Sequence, residues 1–565
     1  MLSGLKKLLS RLVSPAGDTP PAQAADSRYP DWNALFGPDR ERFAAMAAQA
    51  RGGPRILVAS GLGGHTAVAT LDMLLMAALT VRGAEAHALL CDGCLPACEQ
   101  LTLATMDDPE GFAAKGIPPR RCRACHEQAG AAYRALGLPV HRYSDFLTEK
   151  DRSEAAGLAA SVPMADIPGL VRDNTRLGEH ALAGALRFFA RGTLEEEPLA
   201  EPVLRHYLHA ALLTAAVTRA CLRRYGFRRA SFHHGIYIPQ GVVGEVCRAE
   251  GVDVANWQVA YKKQCFIFSH GDTYHHTMMA EDPATWDRLD WTPALEARTM
   301  DYLDSRRRGS NDWIYFHENP SENFAALAAD LGLAPSRPMV GLLTNVIWDA
   351  QLHYPANAFA NMAEWLVATI RHFAGRPELQ LVIRVHPAEV NGAIKSRQPA
   401  CDEIARAFPE LPANVKLIGP DKHVSTYAVM ERCDAVIIYG TKTGVELTSL
   451  GIPVIVAGEA WIRNKGITLD ANSREDYEAL LRRLPLGRRL DPAIVERARR
   501  YAFHFFFRRM IPVASIRPGQ GKAPYAVRLA GLDDLLPGKD PGLDVIVDGI
   551  LHGRPFIYPA EHAGN

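Results

Sequence analysis

The sequence lacks a net charge, because 63 Lys and Arg residues balance 63 Asp and Glu residues among 565. A neutral chain has no general attraction for nucleic acid, so we expect no nucleic-acid partner. It also lacks an apolar run of the roughly 18 residues that a membrane span requires. The best run, LHAALLTAAVTRACL, is interrupted by Arg219. Nor does its beginning show the apolar core and cleavage site of a signal peptide. These absences favour a cytoplasmic protein.

A short amphipathic pattern stands at the start of the chain. In MLSGLKKLLSRLV, five leucines share one helical stripe and the basic residues lie mostly off it. Such a helix is typical of peripheral contact with a membrane surface, but it can equally pack on its own protein. The Pro- and Ala-rich stretch that follows predicts a flexible tether, so residues 1–30 are interpreted as a helix and linker. Membrane contact would place the protein at the inner face of the cytoplasmic membrane.

The second half of the chain alternates short β-branched runs with helical stretches. The runs are MVGLLTN, LQLVIRVHP, VKLIG, AVIIYG and PVIVAG. The first intervening helix repeats Phe359, Met362, Leu366, Ile370 and Phe373 at helical spacing. Near-continuous apolar strands alternating with helices indicate a parallel sheet covered on both faces. We therefore predict a Rossmann-like domain over residues 336–490.

The first half begins in the same way, with RILVAS, the loop GLGGH, a long helix and AEAHALLCDG. It predicts a second Rossmann-like domain over residues 31–335. The fold class is thus α/β, and two such domains facing a cleft form the GT-B architecture. The helical segment at residues 491–515 would cross back between the domains, and residues 516–565 would form a C-terminal extension.

The glycine-rich loop GLGGH has two interpretations. It lacks the last glycine of the dinucleotide-binding pattern G-x-G-x-x-G, which makes a dinucleotide site the weaker of them. We expect instead a backbone turn that a sugar or phosphate can approach.

Polar side chains follow each strand of the second predicted sheet. Ligands of open parallel sheets bind beyond the carboxyl ends of the strands, so these side chains are expected to converge on one edge. The residues, in strand order, are Thr344, Asn345, Trp348 and Asp349, then Arg384, His386 and Pro387, then Ser425 and Thr426, then Thr441, Lys442 and Thr443, and finally Gly458 and Glu459. A nucleotide site at this edge is more plausible than five unrelated helix caps.

The stretch YGTKTGVELTSLGIPVIVAG leaves two possibilities. Thr443 with Glu446 fits the S/T-x-x-E capping box, in which the two side chains satisfy backbone donors. A helix N-terminus that follows a strand also presents free N–H groups to a phosphate. Both uses can hold together, and the neighbouring loops favour the phosphate.

Half of the ten cysteines fall within one short segment. CDGCLPACE and CRAC contain Cys91, Cys94, Cys98, Cys122 and Cys125. In a cytoplasmic protein, paired C-x2-C spacings indicate a metal rather than disulfides. We predict structural zinc held by four thiolates in a cysteine-rich insertion, with an iron–sulfur cluster or free thiols as alternatives. Five candidates for four places leave Cys94 or Cys98 as the uncertain member.

Several of these stretches resemble the bacterial capsule polysaccharide biosynthesis glycosyltransferases. The matching segments are LLTNVIWDA, IRVHPAE, NVKLIGPDKHVSTY and VIIYGTKTGVELTSLGIPVIVAG, with weaker likeness in HHGIYIPQG and FSHGDTYHHT. The likeness spans about residues 230–510. Related transferases of Kdo and sialic acid use CMP donors and share a His-Pro pair and a later Ser/Thr pair. The resemblance implies an inverting, metal-independent GT-B glycosyltransferase with a nucleotide-sugar donor, without a catalytic metal.

The same resemblance suggests roles for individual residues. His386 would contact the donor phosphate, Thr441 and Thr443 would bind phosphate oxygens, Glu446 would hold ribose hydroxyls and Asn345 would line the nucleotide pocket. The remaining donor-binding candidates are Asp349, Arg384, Ser425, Thr426 and Lys442. The family often has two serines where this chain has threonines around Lys442, so a CMP-linked sugar is one option among several.

An inverting transfer also needs a base that deprotonates the acceptor hydroxyl. We favour His234, next to Gly235, as this base; the other candidates are His233, Glu245, His270, Asp272, His275 and His276. His270, His275 and His276 could alternatively bind a metal.

The predicted function is therefore sugar transfer from a nucleotide donor to a surface polysaccharide or glycolipid acceptor. The alternatives are a CDP-polyol phosphotransferase or a nucleotide-sugar epimerase of the same fold, and a non-catalytic scaffold in capsule synthesis.

Overall fold

The computed structural model describes residues 29–308, 312–313, 320–350, 357–519 and 525–563. The helix predicted at the start of the chain lies outside these residues. The described residues divide into two compact units. The first comprises the described parts of Met1–Phe188, Leu194–Tyr274 and Arg509–Tyr558, and the second those of Phe189–Thr193, His275–Arg508 and Pro559–Asn565.

The strands are numbered here in chain order. They are β1 Arg55–Gly61, β2 Glu85–Leu90, β3 Val140–Arg142, β4 Val171–Arg172, β5 Thr175–Arg176, β6 Arg229–His233, β7 Asp253–Val259, β8 Cys265–His270, β9 Met339–Leu343, β10 Gln380–Arg384, β11 Val415–Ile418, β12 Ala435–Ile438, β13 Val454–Val456, β14 Leu469–Asp470, β15 Ile511–Pro512, β16 Ile516–Pro518 and β17 Tyr525–Val527.

The α-helices connect and cover these strands. They are Trp32–Phe36, Arg40–Gln49, Thr66–Val81, Pro109–Lys115, Pro119–Ala135, Glu149–Ser161, Leu177–Phe189, Ala200–Tyr225, Gln240–Ala249, Tyr274–Thr277, Ala284–Asp287, Pro293–Arg308, Phe324–Leu331, Met362–Ala374, Ala388–Asn391, Ala400–Ala407, Thr426–Met430, Thr443–Ser449, Arg474–Arg482, Pro492–Phe503 and Pro541–His552. Over the described ranges, no helix is both long enough and apolar enough to cross a bilayer.

The first unit contains a seven-stranded sheet in the order β15-β8-β7-β6-β1-β2-β3. The strands from β7 to β3 run parallel, whereas β8 and β15 are antiparallel additions at one edge. The helix Pro541–His552 also belongs to this unit, where Arg82 and Asp544 form an ion pair of 2.6 Å. The end of the chain is thus largely part of the first unit rather than a separate extension.

The second unit contains a six-stranded parallel sheet in the order β11-β10-β9-β12-β13-β14. This 3-2-1-4-5-6 order is that of a doubly wound Rossmann sheet. The strands are short, and β9, β12 and β13 are apolar and buried throughout, as expected for strands covered on both faces. The helix Met362–Ala374 packs Trp365, Ile370 and Phe373 against this sheet. The predicted α/β class with two Rossmann-like sheets is confirmed.

The division of the chain differs from the predicted one. Residues of the segment 275–335 belong to the second unit, not to the first. One cause is the helix Pro293–Arg308, which packs against the helix Pro492–Phe503 of the same unit. The chain passes from the second unit to the first between Arg508 and Arg509.

Candidate functional site

The ends of the central strands of the second unit lie side by side. Leu343 at the end of β9 pairs with Arg384 of β10 on one side and with Ile438 of β12 on the other. The strand order reverses direction between β9 and β12, which is where ligands of doubly wound sheets bind. The loops that follow β9, β10 and β12 therefore form the candidate site.

His386 is held at this edge by its own backbone and by its neighbours. Its main-chain N–H donates to the Thr344 hydroxyl at 2.9 Å, and its Nδ1 accepts from the N–H of Ala388 at 3.1 Å. Because Nδ1 acts as an acceptor, the proton of the neutral ring sits on Nε2. The half-buried imidazole can therefore offer an Nε2–H donor to an anion.

The loop after β12 supplies hydroxyl groups next to Asn345. The Asn345 Oδ1 atom accepts from the Gly440 N–H at 3.4 Å, which connects the β9 and β12 loops. The Thr441 and Thr443 hydroxyls lie 3.3 Å apart, and both residues are half-buried. Two adjacent hydroxyls next to an amide group form a set of donors suited to phosphate oxygens.

The capping-box interpretation of Thr443 and Glu446 is wrong. The helix Thr443–Ser449 begins after Lys442 without a side-chain cap. The carboxylate of Glu446 turns into the protein, where it accepts hydrogen bonds from the Tyr427 hydroxyl and from Arg306 Nε, the latter at 3.1 Å. Burial of Glu446 opposes its ionisation, but Arg306 and Lys442 hold its pKa below the usual value.

A polar network surrounds that carboxylate. Arg306 also donates to Asp312 and, at 3.3 Å, to the Tyr302 hydroxyl, which in turn donates to Asp312 at 2.7 Å. The Lys442 ammonium lies 3.5 Å from Glu446 and remains partly accessible. Burial, followed by repulsion from Arg306, lowers the pKa of Lys442. In this structure Glu446 positions the loop rather than facing a ribose.

The other predicted donor-binding residues differ in their burial and in their hydrogen-bond partners. Arg384 is buried and its guanidinium donates to the main-chain carbonyls of Gly419 and Lys422, so it supports the loop after β11. Ser425 caps the helix Thr426–Met430 by accepting from the Ala428 N–H at 3.3 Å. Thr426 is half-buried, whereas Asp349 is exposed.

The sequence did not predict Arg306 as part of this site. It lies on the helix Pro293–Arg308, 140 positions before Glu446, and no local motif marks it. Arg463 was also missed. Its buried guanidinium donates to the carbonyls of Gly458 and Ala471 and fixes the loop after β13.

The first unit has its own group of histidines at the corresponding strand ends. His233 ends β6, and its N–H donates to the Ser60 hydroxyl of β1 at 3.0 Å. Burial lowers the pKa of His233 well below the usual value, which keeps the ring neutral. His234, the predicted base, has a positive φ of 63° and stacks on Tyr237 at 4.9 Å between ring centroids.

A carboxylate accompanies these histidines. Glu99 is buried, and its carboxylate accepts from Gln240 Nε2 at 2.8 Å. Burial opposes ionisation of Glu99, but Arg187, His65 and His234 together lower its pKa, so it is ionised. Glu245, another candidate base, is instead paired with Arg176 at 2.9 Å and Arg248 at 2.6 Å.

Two glycines of the loop GLGGH pack against Cys125 of the helix Pro119–Ala135. The Gly64 N–H donates to Cys125 Sγ at 2.9 Å, and a Cβ on Gly63 would lie 2.6 Å from the Cys125 carbonyl oxygen. These glycines therefore let the helix Pro119–Ala135 approach the loop after β1, while Gly64 remains exposed. The expected approach of a sugar or phosphate stays a prediction.

The five clustered cysteines lie in the connection between β2 and β3. Cys91 follows β2 directly, and Cys122 and Cys125 lie on the helix Pro119–Ala135. Across the described parts of the chain, no group of three or more His, Cys, Asp or Glu side chains is already arranged to hold a metal ion. Neither the zinc prediction nor the histidine alternative has a preformed ligand set.

Comparison with known families gives a match within the second unit. The family described as "Capsule polysaccharide biosynthesis protein" matches residues 332–494, which contain β9 to β14. This match confirms the resemblance for that segment. No curated protein matches the chain.

Three solved structures illustrate a weak likeness. A Thermosulfurimonas dismutans KpsC, a beta Kdo 2,4 transferase, is 14% identical over 49% of this chain and 79% of its own, with a TM-score of 0.32. The beta Kdo 2,7 transferase of the same KpsC is 13% identical over 50% and 79%, with a TM-score of 0.30. The UDP-GlcNAc 2-epimerase of Neisseria meningitidis, bound to UDP-GlcNAc, is 9% identical over 79% and 98%, with a TM-score of 0.26.

Proposed function

We propose that the second unit binds a nucleotide-linked sugar beyond the ends of β9, β10 and β12, and that the protein transfers this sugar to a growing surface glycan. The proposal rests on the observation that the family match and the candidate site involve the same residues. The residues matched by the capsule family, 332–494, contain His386, Asn345 and the threonine pair at the reversal point of the sheet.

The donors in this set suit a nucleotide phosphate. His386 after β10 offers Nε2–H, and Thr441 and Thr443 after β12 offer their hydroxyls, with β9 between the two strands. When the bond between the sugar carbon and the phosphate oxygen breaks, its electron pair remains on the phosphate, which gains charge. Donors fixed in advance stabilise that charge more in the transition state than in the ground state. The helix Thr443–Ser449 has only seven residues, so we assign the effect to the side chains.

The remaining steps belong to the acceptor. The acceptor oxygen forms the new bond to the sugar carbon on the face opposite the leaving phosphate, and its proton goes to a base. His234 is our candidate for that base, with Glu99 as the neighbouring carboxylate. The same proposal includes inversion at the sugar carbon, a nucleotide as the leaving group, a lipid or glycan acceptor and any membrane contact.

Calorimetric titration with CMP, CDP, UDP and GDP tests the donor site. We expect one nucleotide to bind the wild-type protein, and His386→Ala and Thr441→Val to weaken that binding at least tenfold. Thr441→Ser retains the hydroxyl and should bind nearly normally. His562→Ala, at an exposed histidine of the same unit, is the matched control.

The product then separates the enzyme classes. Release of free nucleotide with a glycosidic bond formed on the acceptor supports the proposal. Transfer of an intact polyol phosphate would indicate a CDP-polyol phosphotransferase, and epimerisation of the sugar on its nucleotide would indicate an epimerase. Either product would contradict the proposed sugar transfer. A folded protein that binds none of the four nucleotides would contradict the proposed donor site.

A further inference from the structure

A cavity lies at the edge of the six-stranded sheet opposite to the proposed donor site. Its volume is about 680 Å³, which falls within the roughly 300–1,000 Å³ that is usual for small-molecule sites. It is lined by Met339 at the start of β9, by Gln380 at the start of β10 and by Asp434, directly before β12. The five residues of β9 span about 13 Å, and the proposed donor site lies beyond their other end. The cavity is therefore a separate place within the second unit.

Hydrogen bonds through Asp434 hold the wall of this cavity together. The Asp434 N–H donates to the Met339 carbonyl at 2.7 Å. Its carboxylate accepts from the main-chain N–H groups of Leu486 and Gly487, each at 2.6 Å. The starts of β9 and β12 and the turn after the helix Arg474–Arg482 are thereby held against one another.

The cavity has a strongly positive lining, to which four exposed arginines contribute. They are Arg337, Arg432, Arg488 and Arg489. Within the described ranges, none of their guanidinium groups forms an ion pair with a carboxylate. Asp434 is the one acid among the described lining residues, and its carboxylate is already engaged by main-chain donors. We call this cavity the arginine pocket.

Two of the four arginines are held in place by the protein. Arg489 Nη1 donates to the Cys433 carbonyl at 2.9 Å. Arg432 Nη1 donates to the Ala428 carbonyl at 3.1 Å, and its guanidinium carbon lies 4.6 Å from the centre of the Phe324 ring. A guanidinium group has five N–H donors, so each of these side chains keeps donors for a ligand.

The other two arginines are positioned by their main chains. The Arg337 carbonyl accepts from the buried Gln380 Nε2 at 3.0 Å, and Arg488 directly follows Gly487. For neither side chain does the described structure contain a hydrogen bond or an ion pair. Like charges gathered around one cavity repel each other, and a bound anion would relieve this repulsion.

We propose that the arginine pocket binds a small sugar that carries two phosphate monoester groups. Guanidinium groups bind phosphate in a bidentate manner, and each phosphate has up to about two negative charges and three acceptor oxygens. Two phosphates can thus balance four arginines. Ser336, which also lines the cavity, can bond to a sugar hydroxyl. The proposal does not depend on the proposed sugar transfer.

The lining favours a sugar over a nucleotide as the body of this ligand. Phe324 is the one aromatic side chain among the described residues of the lining, and Arg432 already lies over its ring. A nucleobase would therefore find little to stack on. A nucleoside diphosphate also carries only one terminal phosphate, so it presents less charge to the four arginines.

Calorimetric titration with glucose 1,6-bisphosphate and glucose 6-phosphate tests the proposal. We expect the bisphosphate to bind at one site and the monophosphate to bind at least tenfold more weakly. Arg337→Gln and Arg488→Gln should each weaken bisphosphate binding at least fivefold. Arg371→Gln, at an exposed arginine of the same unit outside the cavity, is the matched control. Absence of bisphosphate binding, or equal affinity for the two sugars, would overturn the proposal.

His386→Ala separates the arginine pocket from the proposed donor site. This variant should bind the bisphosphate normally and should bind CDP more weakly than the bisphosphate. Loss of bisphosphate binding in His386→Ala with retention in Arg488→Gln would place the ligand at the donor site and overturn the proposal. CDP bound as tightly as the bisphosphate in His386→Ala would contradict the preference for two monoesters.

A second measurement uses the wild-type protein and so does not depend on the folding of any variant. Phenylglyoxal modifies accessible arginines, and mass spectrometry locates the modified residues. The bisphosphate should slow modification of Arg337 and Arg488 but leave Arg371 unchanged. Equal modification of all three arginines with and without the bisphosphate would overturn the proposal.

Discussion

The Thr344 hydroxyl accepts a hydrogen bond of 2.9 Å from the main-chain N–H of His386. This bond joins the first residue after β9 to the second residue after β10. Thr344 is buried, whereas the His386 ring reaches the partly accessible edge of the sheet. Thr344, which need not contact a ligand, thus positions His386, which we propose contacts the donor phosphate.

Replacing Thr344 by valine should weaken nucleotide binding without removing the imidazole. Valine keeps the branched shape but leaves the His386 N–H without its acceptor, at a cost of about 1 kcal/mol. If the lost hydrogen bond destabilises only the nucleotide-bound form, the Kd for the nucleotide rises about fivefold. Calorimetry on Thr344→Val and Thr344→Ser checks this, because serine restores the acceptor. Equal weakening in both variants would show that the hydroxyl is not the cause.

The pair Arg306 and Glu446 should behave as a buried structural unit. Both side chains are nearly inaccessible, so removing one leaves the other charge buried and costs about 3–5 kcal/mol. We expect Arg306→Met and Glu446→Gln each to lower the urea midpoint strongly. The double variant should lose less free energy of unfolding than the sum of the losses in the two single variants.

Lys442→Met is the matched control for that network. Its ammonium lies 3.5 Å from Glu446 and is partly accessible, so its loss should change the free energy of unfolding by less than about 1 kcal/mol. Additive losses from Arg306→Met and Glu446→Gln would show that the two side chains do not stabilise each other.

The sheets could be predicted because their strands carry the signal locally. Runs such as LQLVIRVHP and AVIIYG are mostly apolar, which fits strands buried on both faces. The antiparallel strands β8 and β15 could not be placed, because their pairing joins residues about 245 positions apart, such as Phe266 and Ile511. A strand of two residues also has too little pattern to identify.

The candidate site could be predicted only for residues that directly follow the ends of the parallel strands. His386 and Thr441 were identified because parallel strands place their following loops on one edge. The role of Glu446 was misjudged because T-x-x-E fits a capping box equally well, and Arg306 lies 140 residues away in sequence. Long-range ion pairs leave no local pattern, so the polar network required the structure.

His234→Ala should separate chemistry from donor binding. If His234 takes the acceptor proton, its loss lowers kcat by about 10²–10⁴. The nucleotide Kd should stay the same, because the proposed donor residues all belong to the second unit. Steady-state kinetics with calorimetry check both quantities, and His552→Ala, at an exposed histidine of the first unit, is the control. A normal kcat would exclude His234 as the base.

Asp72 should make the first unit less stable as the pH rises. Its carboxyl group is buried on the helix Thr66–Val81, and burial raises its pKa to about 7 from a usual value of 3.8. Trp257 Nε1 donates to it at 3.2 Å and the Tyr133 hydroxyl lies at 3.5 Å, while Ser60 also bonds to it. These donors favour the ionised form but do not outweigh desolvation.

The sign follows from proton binding. Between about pH 4 and pH 7 the folded state holds the Asp72 proton while the unfolded state has lost it, so the free energy of unfolding falls as the pH rises. A difference of about three pKa units corresponds to a fall of up to about 4 kcal/mol, complete above pH 7. Asp72→Asn cannot ionise and should flatten this part of the curve, whereas the exposed control Asp533→Asn should leave it intact. Urea unfolding at pH 5, 6, 7 and 8 measures the difference, and an unchanged slope in Asp72→Asn would show that another group causes the fall.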